Sequence, residues 1–260
     1  MLRFRSNYAE RKSNKYLKTR DFIMTDKVNI IPTNIQGFDK IIGGGFSPGT
    51  CILLITPPRI EIHLFCLEYI YRGLIQKEPG LIITMNYSPE DLKLRALQYG
   101  WALVRGENEK LLRWVDGYSL NARRDVQSTE TIKRIGGSIA LSDLTIGMSQ
   151  AQKDFYLMKS YYRFIFDSLS TLFIYNDPNT IYRFLRAIIP KLRVSGGIGF
   201  FLLGAGMHDS QIEMTLRYMM DGTIEINNDL DIKILSLPTP TSIKTGHMEL
   251  TKTGFRVVEK

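Results

Sequence analysis

The stretch that decides the fold reads Cys51-Ile-Leu-Leu-Ile-Thr-Pro-Pro-Arg-Ile-Glu-Ile-His63. Its first five residues are apolar and predict a buried strand. From His63 to Ile75 the apolar residues recur at helical spacing, so a helix is expected to follow. From residue 29 onward short apolar runs alternate with longer segments of helical period. This alternation predicts an α/β fold, a mainly parallel twisted sheet with helices on both faces.

The other elements follow by working outward from this stretch. Ser88 as N-cap and Pro89 at the first helical position open a helix that is expected to end near Gly100. Other helices are predicted at 142–158, 179–193 and 211–220, and Pro190 is expected to kink or end the second of these. Further strands are predicted at 81–85, 111–115, 163–167 and 199–203. We interpret 117–140 as an irregular excursion.

The C-terminal part contains short strands without intervening helices, at 222–226, at 232–237 and around Met248 and Phe255. They predict an antiparallel extension of the sheet. Together with the chain's 44% apolar residues, the pattern predicts one domain over 29–260. Cys51 and Cys66 lie in apolar surroundings and are expected to be reduced core thiols. No secretory or membrane-spanning stretch is found, so we expect a soluble, cytoplasmic protein.

Residues 1–28 form a predicted basic arm. The net charge of the chain is +8, of which the arm carries +5 and the rest +3. Such an arm binds nucleic acid or an acidic partner, or it is a solvated tail that keeps the protein soluble. The cations of the arm are Arg3, Arg5, Arg11, Lys12, Lys15, Lys18, Arg20 and Lys27.

The predicted domain opens with the string Ile31-Pro-Thr-Asn-Ile-Gln-Gly-Phe-Asp39, followed by Ile41-Ile-Gly-Gly-Gly-Phe46. This opening resembles that of archaeal KaiC-like ATPases of the RecA superfamily, RadA paralogues included. Further strings resemble the same family in the same order. The resemblance implies a RecA-type ATPase core, often assembled as a ring or filament, with roles in signalling or recombination. The strings are Glu78-Pro-Gly-Leu81, Ser88-Pro-Glu-Asp-Leu92, Gly100-Trp101, Val115-Asp-Gly-Tyr118, Asp167-Ser-Leu-Ser-Thr-Leu172, His208-Asp209 and Asp221-Gly-Thr-Ile-Glu225.

The phosphate-binding loop of such ATPases, G-x-x-x-x-G-K-[ST], is degenerate here. Thr56 and Glu61 stand at its glycines, Ile62 at its lysine and His63 at its Mg²⁺-binding hydroxyl. Side chains at the glycine positions obstruct the approach of a phosphate. A carboxylate about 4 Å from a phosphate charge costs several kcal/mol at an effective dielectric constant of ~20. Arg59 offsets this only if it points inward. The alternative is a rearranged loop that still takes nucleotide.

Two further positions depart from the family pattern. Asn86 and Tyr87 stand where active members carry a Glu-Glu pair that acts on water, and neither side chain replaces a carboxylate as a base. The segment 236–240 lacks the Lys-x-Arg string that reaches a neighbouring subunit's nucleotide. Asp167 fits the family's magnesium-shell acid, and without its partners we interpret it as a relic or a structural cap. The sequence therefore predicts an inactive ATPase homologue with no cofactor and no metal.

Two functional readings stay open beside that of an ATPase with an aberrant loop. The first is a non-catalytic regulator that binds a KaiC/RecA-like paralogue or itself. The second is a nucleic-acid-binding accessory protein in recombination. A cationic stripe on the predicted helix 179–193 is either a contact for phosphate groups or a solvated helix face. Its members are Arg183, Arg186, Lys191 and Arg193.

Overall fold

The structure is a computed structural model that describes residues 29–122, 125–136, 140–238 and 245–260. The predicted basic arm, residues 1–28, lies outside the described residues. The described chain contains a ten-stranded sheet in the order β10-β9-β8-β7-β1-β6-β5-β2-β3-β4. The strands are β1 (Cys51–Thr56), β2 (Gly80–Thr84), β3 (Leu112–Asp116), β4 (Ile132–Arg134), β5 (Tyr162–Asp167), β6 (Gly197–Gly204), β7 (Gly222–Ile226), β8 (Asp231–Ser236), β9 (Thr245–Thr251) and β10 (Gly254–Glu259).

Seven strands from β7 to β4 are parallel, and β8, β9 and β10 continue the sheet in antiparallel pairs. This confirms the mainly parallel sheet and its C-terminal antiparallel extension. The helices are α1 (Phe38–Ile42), α2 (Ile60–Ile75), α3 (Pro89–Leu97), α4 (Leu103–Asn108), α5 (Ser119–Ala122), α6 (Leu141–Tyr156), α7 (Leu169–Tyr175), α8 (Pro178–Val194) and α9 (Ser210–Met219). None of these described helices is both long and apolar enough to cross a membrane.

Two hydrophobic clusters cover the two faces of the sheet. Successive residues of β1 point to opposite faces, so Ile52 and Leu54 join one cluster while Leu53 and Ile55 join the other. The first cluster receives the apolar sides of α2 and α3, and the second receives those of α6, α7 and α8. A strand buried on both faces explains why β1 is a continuous apolar run.

A buried arginine holds the segment that precedes the first strand against the sheet. Arg163 in β5 has a side chain only 1% exposed, and its Nε donates to Oε2 of Glu78 at 2.7 Å. Its remaining nitrogens donate to the carbonyl oxygens of Pro32, Thr33 and Tyr69 at 2.8–2.9 Å. Burial of this charge is tolerated because it is paired and hydrogen-bonded. The opening segment is thereby held against β5 and α2.

Three local predictions meet different outcomes. Ser88 caps α3 as expected, accepting the Asp91 N–H at 3.1 Å. The helix expected to kink or end at Pro190 does not end there, because α8 continues to Val194. One lost N–H near a helix end is offset by the buried apolar side of α8. The segment 117–140 is not wholly irregular either, since it contains α5 and β4. Only one residue of β4, Ile132, is buried, so no alternation marks it.

Candidate functional site

A cavity of about 250 Å³ opens where β1, β2, β5 and β6 end. Six residues singled out from the sequence line it: Thr56, Ile62, His63, Asn86, Tyr87 and Asp167. Asp167 lies at the end of β5. The carboxyl ends of parallel strands meet at one edge of a sheet, which explains how positions over 100 residues apart come together. Arg59 and Glu61 do not line this cavity.

The loop between β1 and α2 offers few backbone donors. Pro57 and Pro58 have no N–H, and the N–H of Arg59 donates to the carbonyl oxygen of Pro57 at 2.8 Å. Arg59 occupies the N-cap position of α2 without a capping side-chain hydrogen bond. A phosphate cradle needs several N–H groups that converge on the ligand. This loop does not provide that arrangement.

Arg59 is bound outside the cavity. Its guanidinium pairs with the carboxylate of Glu61, with 2.8 Å between Nη2 and Oε1, and it also donates to the carbonyl oxygen of Asn228. The hydrogen bond from Arg59 holds the pKa of Glu61 below its ordinary value. Arg59 therefore does not point into the cavity, and the condition for its offset at a ligand is not met. It pairs with Glu61 at the edge of the loop instead.

Both carboxylate oxygens of Asp167 are occupied by side chains. The Nδ1 of His63 lies 2.6 Å from Oδ2, and the Nδ2 of Asn86 donates to Oδ1 at 3.1 Å. The Oδ1 of Asn86 in turn accepts from the hydroxyl of Thr171 at 2.7 Å. Asp167 is only 4% exposed. The acid that would organise a magnesium shell is thus closed into a hydrogen-bonded cluster.

The lysine position and the second carboxylate position are filled by packing residues. Ile62 is 1% exposed and belongs to the core cluster on the α2 side of the sheet. Tyr87 packs against the same cluster, with its ring 4.9 Å from that of His63 and under the guanidinium of Arg95. The residues present therefore do not fit a nucleotide with its Mg²⁺, and no catalytic step through such a group follows from them.

A second polar contact in this cavity has no signal in the sequence. The hydroxyl of Ser170, in the first turn of α7, lies 2.8 Å from Nε2 of His208 and accepts the Gly204 N–H at 2.8 Å. The two side chains are 38 positions apart along the chain. Only the adjacent ends of β5 and β6 bring them together. A larger cavity of about 640 Å³ lies on the other side of Pro57, beside the ends of β7 and β8.

The predicted cationic stripe is reduced to three residues. Arg193 pairs with Asp221, with 2.8 Å between Nη2 and Oδ1. Arg183, Arg186 and Lys191 are exposed on the outer side of α8. The stretch 236–240 is described only to Pro238, and Ser236, Leu237 and Pro238 include no cation. The predicted arm cations all lie outside the described residues.

The three histidines lie apart, each with its own partner, and the partner of His247 is Asp231. Within the described ranges, no group of three or more His, Cys, Asp or Glu residues is placed to hold a metal ion. Cys51 and Cys66 are buried free thiols whose pKa values are raised by burial, that of Cys51 to about 12. Neither is therefore a thiolate at neutral pH.

Comparison with known proteins identifies the family to which this site is related. Residues 31–246 match the family described as "ATPase: KaiC". The UPF0273 protein PF1931 of Pyrococcus furiosus is 27% identical over 173 residues, which cover 66% of each chain. The circadian clock oscillator protein KaiC of Prochlorococcus marinus is 29% identical over 173 residues, which are 65% of this chain but only 32% of that protein.

The fold has a solved counterpart. A crystal structure of the KaiC-like protein PH0186 from Pyrococcus horikoshii superposes with a TM-score of 0.69 over 89% of this chain and 100% of the other. The sequence identity in that superposition is 20%, so the likeness concerns the fold alone. The KaiC protein of Thermosynechococcus vestitus is 38% identical over 78 residues, 30% of this chain and 15% of that protein.

Proposed function

The chain belongs to the KaiC family of ATPases, and on that basis we propose that it is a member without ATPase activity. Its function is that of a regulatory or interaction subunit, which associates with a catalytic paralogue or with a second copy of itself. The sheet and both hydrophobic clusters of an ATPase domain are kept, while the residues that would meet the phosphates are replaced.

The contact of Asp167 with His63 and Asn86 carries this proposal. A magnesium ion that binds nucleotide phosphates is held by the protein through free carboxylate or hydroxyl oxygens. Here His63, at the hydroxyl position of the loop, contacts Oδ2 of Asp167, and the amide nitrogen of Asn86 donates to Oδ1. Opening the cluster would leave Asp167 with neither partner in a cavity where it is almost fully buried.

Assembly in the absence and presence of nucleotide tests the regulatory role. Light scattering after size exclusion measures the mass of the full chain, alone and mixed with a KaiC-family ATPase that co-purifies from native extract. The ATPase partner is first fixed in one nucleotide state, so that added Mg²⁺-ATP acts only on this chain. We expect the complex to form to the same extent before and after Mg²⁺-ATP is added. A complex that appears only when this chain itself takes ATP would contradict the proposal.

A second function, binding of nucleic acid, is favoured by the outer side of α8. Arg183, Arg186 and Lys191 are all exposed on α8, and α8 itself contains no acidic residue. Cations spaced along one helix face suit a row of phosphates. With the basic arm, they would make this chain an accessory factor that holds single-stranded DNA for a recombination ATPase.

A further inference from the structure

Ser170 and His208 form a contact that the proposed function does not use. Ser170 is 4% exposed and its hydroxyl has two neighbours, the Gly204 N–H and Nε2 of His208, each at 2.8 Å. The hydroxyl has one proton to donate, and it already accepts from Gly204. When Nε2 of His208 carries no proton, the serine donates to it. This is the arrangement of a nucleophile and its general base.

We propose that Ser170 is a nucleophile, activated by His208, that takes the acyl group of small uncharged esters in the cavity of about 250 Å³. Ser170 lines this cavity, and His208 contacts the hydroxyl of Ser170 from the loop after β6. The proposed absence of ATP hydrolysis is a separate matter, because this chemistry requires neither phosphate binding nor a metal ion.

The surroundings of His208 suit a base. Its imidazole packs against the ring of Phe173 at a centroid distance of 5.0 Å, which limits its rotation. Burial lowers the pKa of His208 below its ordinary value of 6.5, and the charges of Asp209 and Glu213 oppose this only in part. The imidazole is therefore neutral at pH 7 and able to accept a proton.

The cavity wall selects the substrate class. Ile62, Ile174 and Met207 contribute apolar surface, and the carboxylate of Asp167 disfavours a ligand with a negative charge. The volume of about 250 Å³ lies below the usual range for ligand pockets, which begins near ~300 Å³, so the acyl group is short. Thr56 lines the same cavity, is 5% exposed, and makes no side-chain hydrogen bond to any described residue. Its hydroxyl is a donor available to a developing oxyanion.

The reaction balances without a further reagent. The Oγ of Ser170 forms a bond to the carbonyl carbon, its proton passes to Nε2 of His208, and the carbonyl π pair moves to oxygen. Collapse of this intermediate breaks the carbon–alkoxy bond, and His208 returns the proton to the leaving alcohol. Water then repeats the two steps on the acyl-serine and releases a carboxylic acid. Nothing is oxidised or reduced.

Covalent labelling of the full chain tests the proposal. A fluorophosphonate adds to the oxygen of an activated serine and expels fluoride, and peptide mass spectrometry locates the adduct. We expect one adduct per chain, on Ser170, and loss of p-nitrophenyl acetate hydrolysis in proportion to labelling. No adduct, or an adduct confined to other serines, would overturn the proposal. This readout uses the unsubstituted protein and does not depend on the folding of a variant.

Variants separate an activated serine from a structural one. We expect Ser170→Ala to reduce ester hydrolysis to that of free imidazole, and His208→Gln to slow labelling by roughly 100-fold, a usual effect of losing a general base. Ser236→Ala, which removes an exposed hydroxyl on β8 outside the cavity, should label at an unchanged rate. The labelling rate should fall at acidic pH as His208 is protonated. Labelling lost in His63→Gln but kept in His208→Gln would contradict the assignment.

Discussion

The Nδ1 of His63 lies 2.6 Å from a carboxylate oxygen of Asp167, so the residue at the loop's hydroxyl position directly contacts the acid at the end of β5. In an active ATPase of this family these two positions would share a magnesium shell. Here they bind each other, and Asn86 occupies the second oxygen of Asp167. The replacements therefore form one cluster whose members satisfy one another.

Removal of the histidine from this cluster should destabilise the fold. In His63→Ala the buried carboxylate of Asp167 loses one of its partners, so we expect the free energy of unfolding to fall by about 1–3 kcal/mol. Urea denaturation followed by circular dichroism measures the change. His247→Ala is the matched control, because its contact with Asp231 is about one-third exposed and should contribute less than ~1 kcal/mol. Equal losses in both variants would argue against the buried cluster.

Restoring the loop motif alone should not restore turnover. In Glu61→Gly/Ile62→Lys/His63→Thr the loop regains its lysine and hydroxyl, but Asn86 and Tyr87 still provide no carboxylate to act on water. We expect phosphate release at the background rate. The informative comparison adds Asn86→Glu and Tyr87→Glu to the same variant. Turnover well above background in the triple variant would mean that another residue supplies the base.

The pH dependence of stability should include a contribution from Glu68. Its side chain is fully buried, and burial raises its pKa above 4.5 although Arg72 and the Phe255 N–H bind it. A carboxyl with a higher pKa in the folded state binds more protons when folded, so the free energy of unfolding falls as pH rises from about 4.5 through the raised pKa.

Glu68→Gln removes this titration and keeps an acceptor for the Phe255 N–H. We expect its free energy of unfolding to decline less than that of the unsubstituted protein as pH rises above about 4.5, measured by urea denaturation at a series of pH values. Glu109→Gln, at an exposed pair with Lys77, serves as the control and should follow the unsubstituted protein. Parallel curves for all three proteins would show that Glu68 does not titrate in this window.

Much of the fold is predictable from the sequence because it depends on local pattern. The apolar run of β1, the cap at Ser88 and the short C-terminal strands each carry a signal within a few residues. β4 carries none, because a single buried residue makes no pattern. Pro190 does not end α8, because the propensity of one residue is outweighed by the packing of the rest of the helix.

The site is predictable in its membership but not in its contacts. The resemblance to the family's motifs names Thr56, His63 and Asn86, together with Asp167, as positions of one site. Side-chain directions decide whether Arg59 pairs with Glu61 and whether His63 contacts Asp167. No sequence spacing fixes these directions. The contact of Ser170 with His208 is likewise created by the pairing of β5 with β6.

If the basic arm binds single-stranded DNA, its affinity should depend strongly on salt. Four or five phosphate contacts give a slope of log K against log salt near −3, a loss of roughly 60-fold between about 50 and 200 mM. Deletion of residues 1–28 should remove this dependence, as measured by fluorescence anisotropy. Arg183→Gln/Arg186→Gln/Lys191→Gln, with the arm intact, should lower the slope further by about 0.7 for each phosphate contact that α8 makes. Equal affinity in full-length and truncated protein would refute the role of the arm.

Calorimetric titration of the full chain with Mg²⁺-ATP tests most directly whether this chain has lost the nucleotide site of its family. Binding would have to separate Asp167 from His63 and Asn86 and proceed without a lysine at Ile62. At millimolar nucleotide we predict no heat beyond that of dilution. A dissociation constant in the low micromolar range would contradict the account, because it would show that the rearranged loop still holds the phosphates.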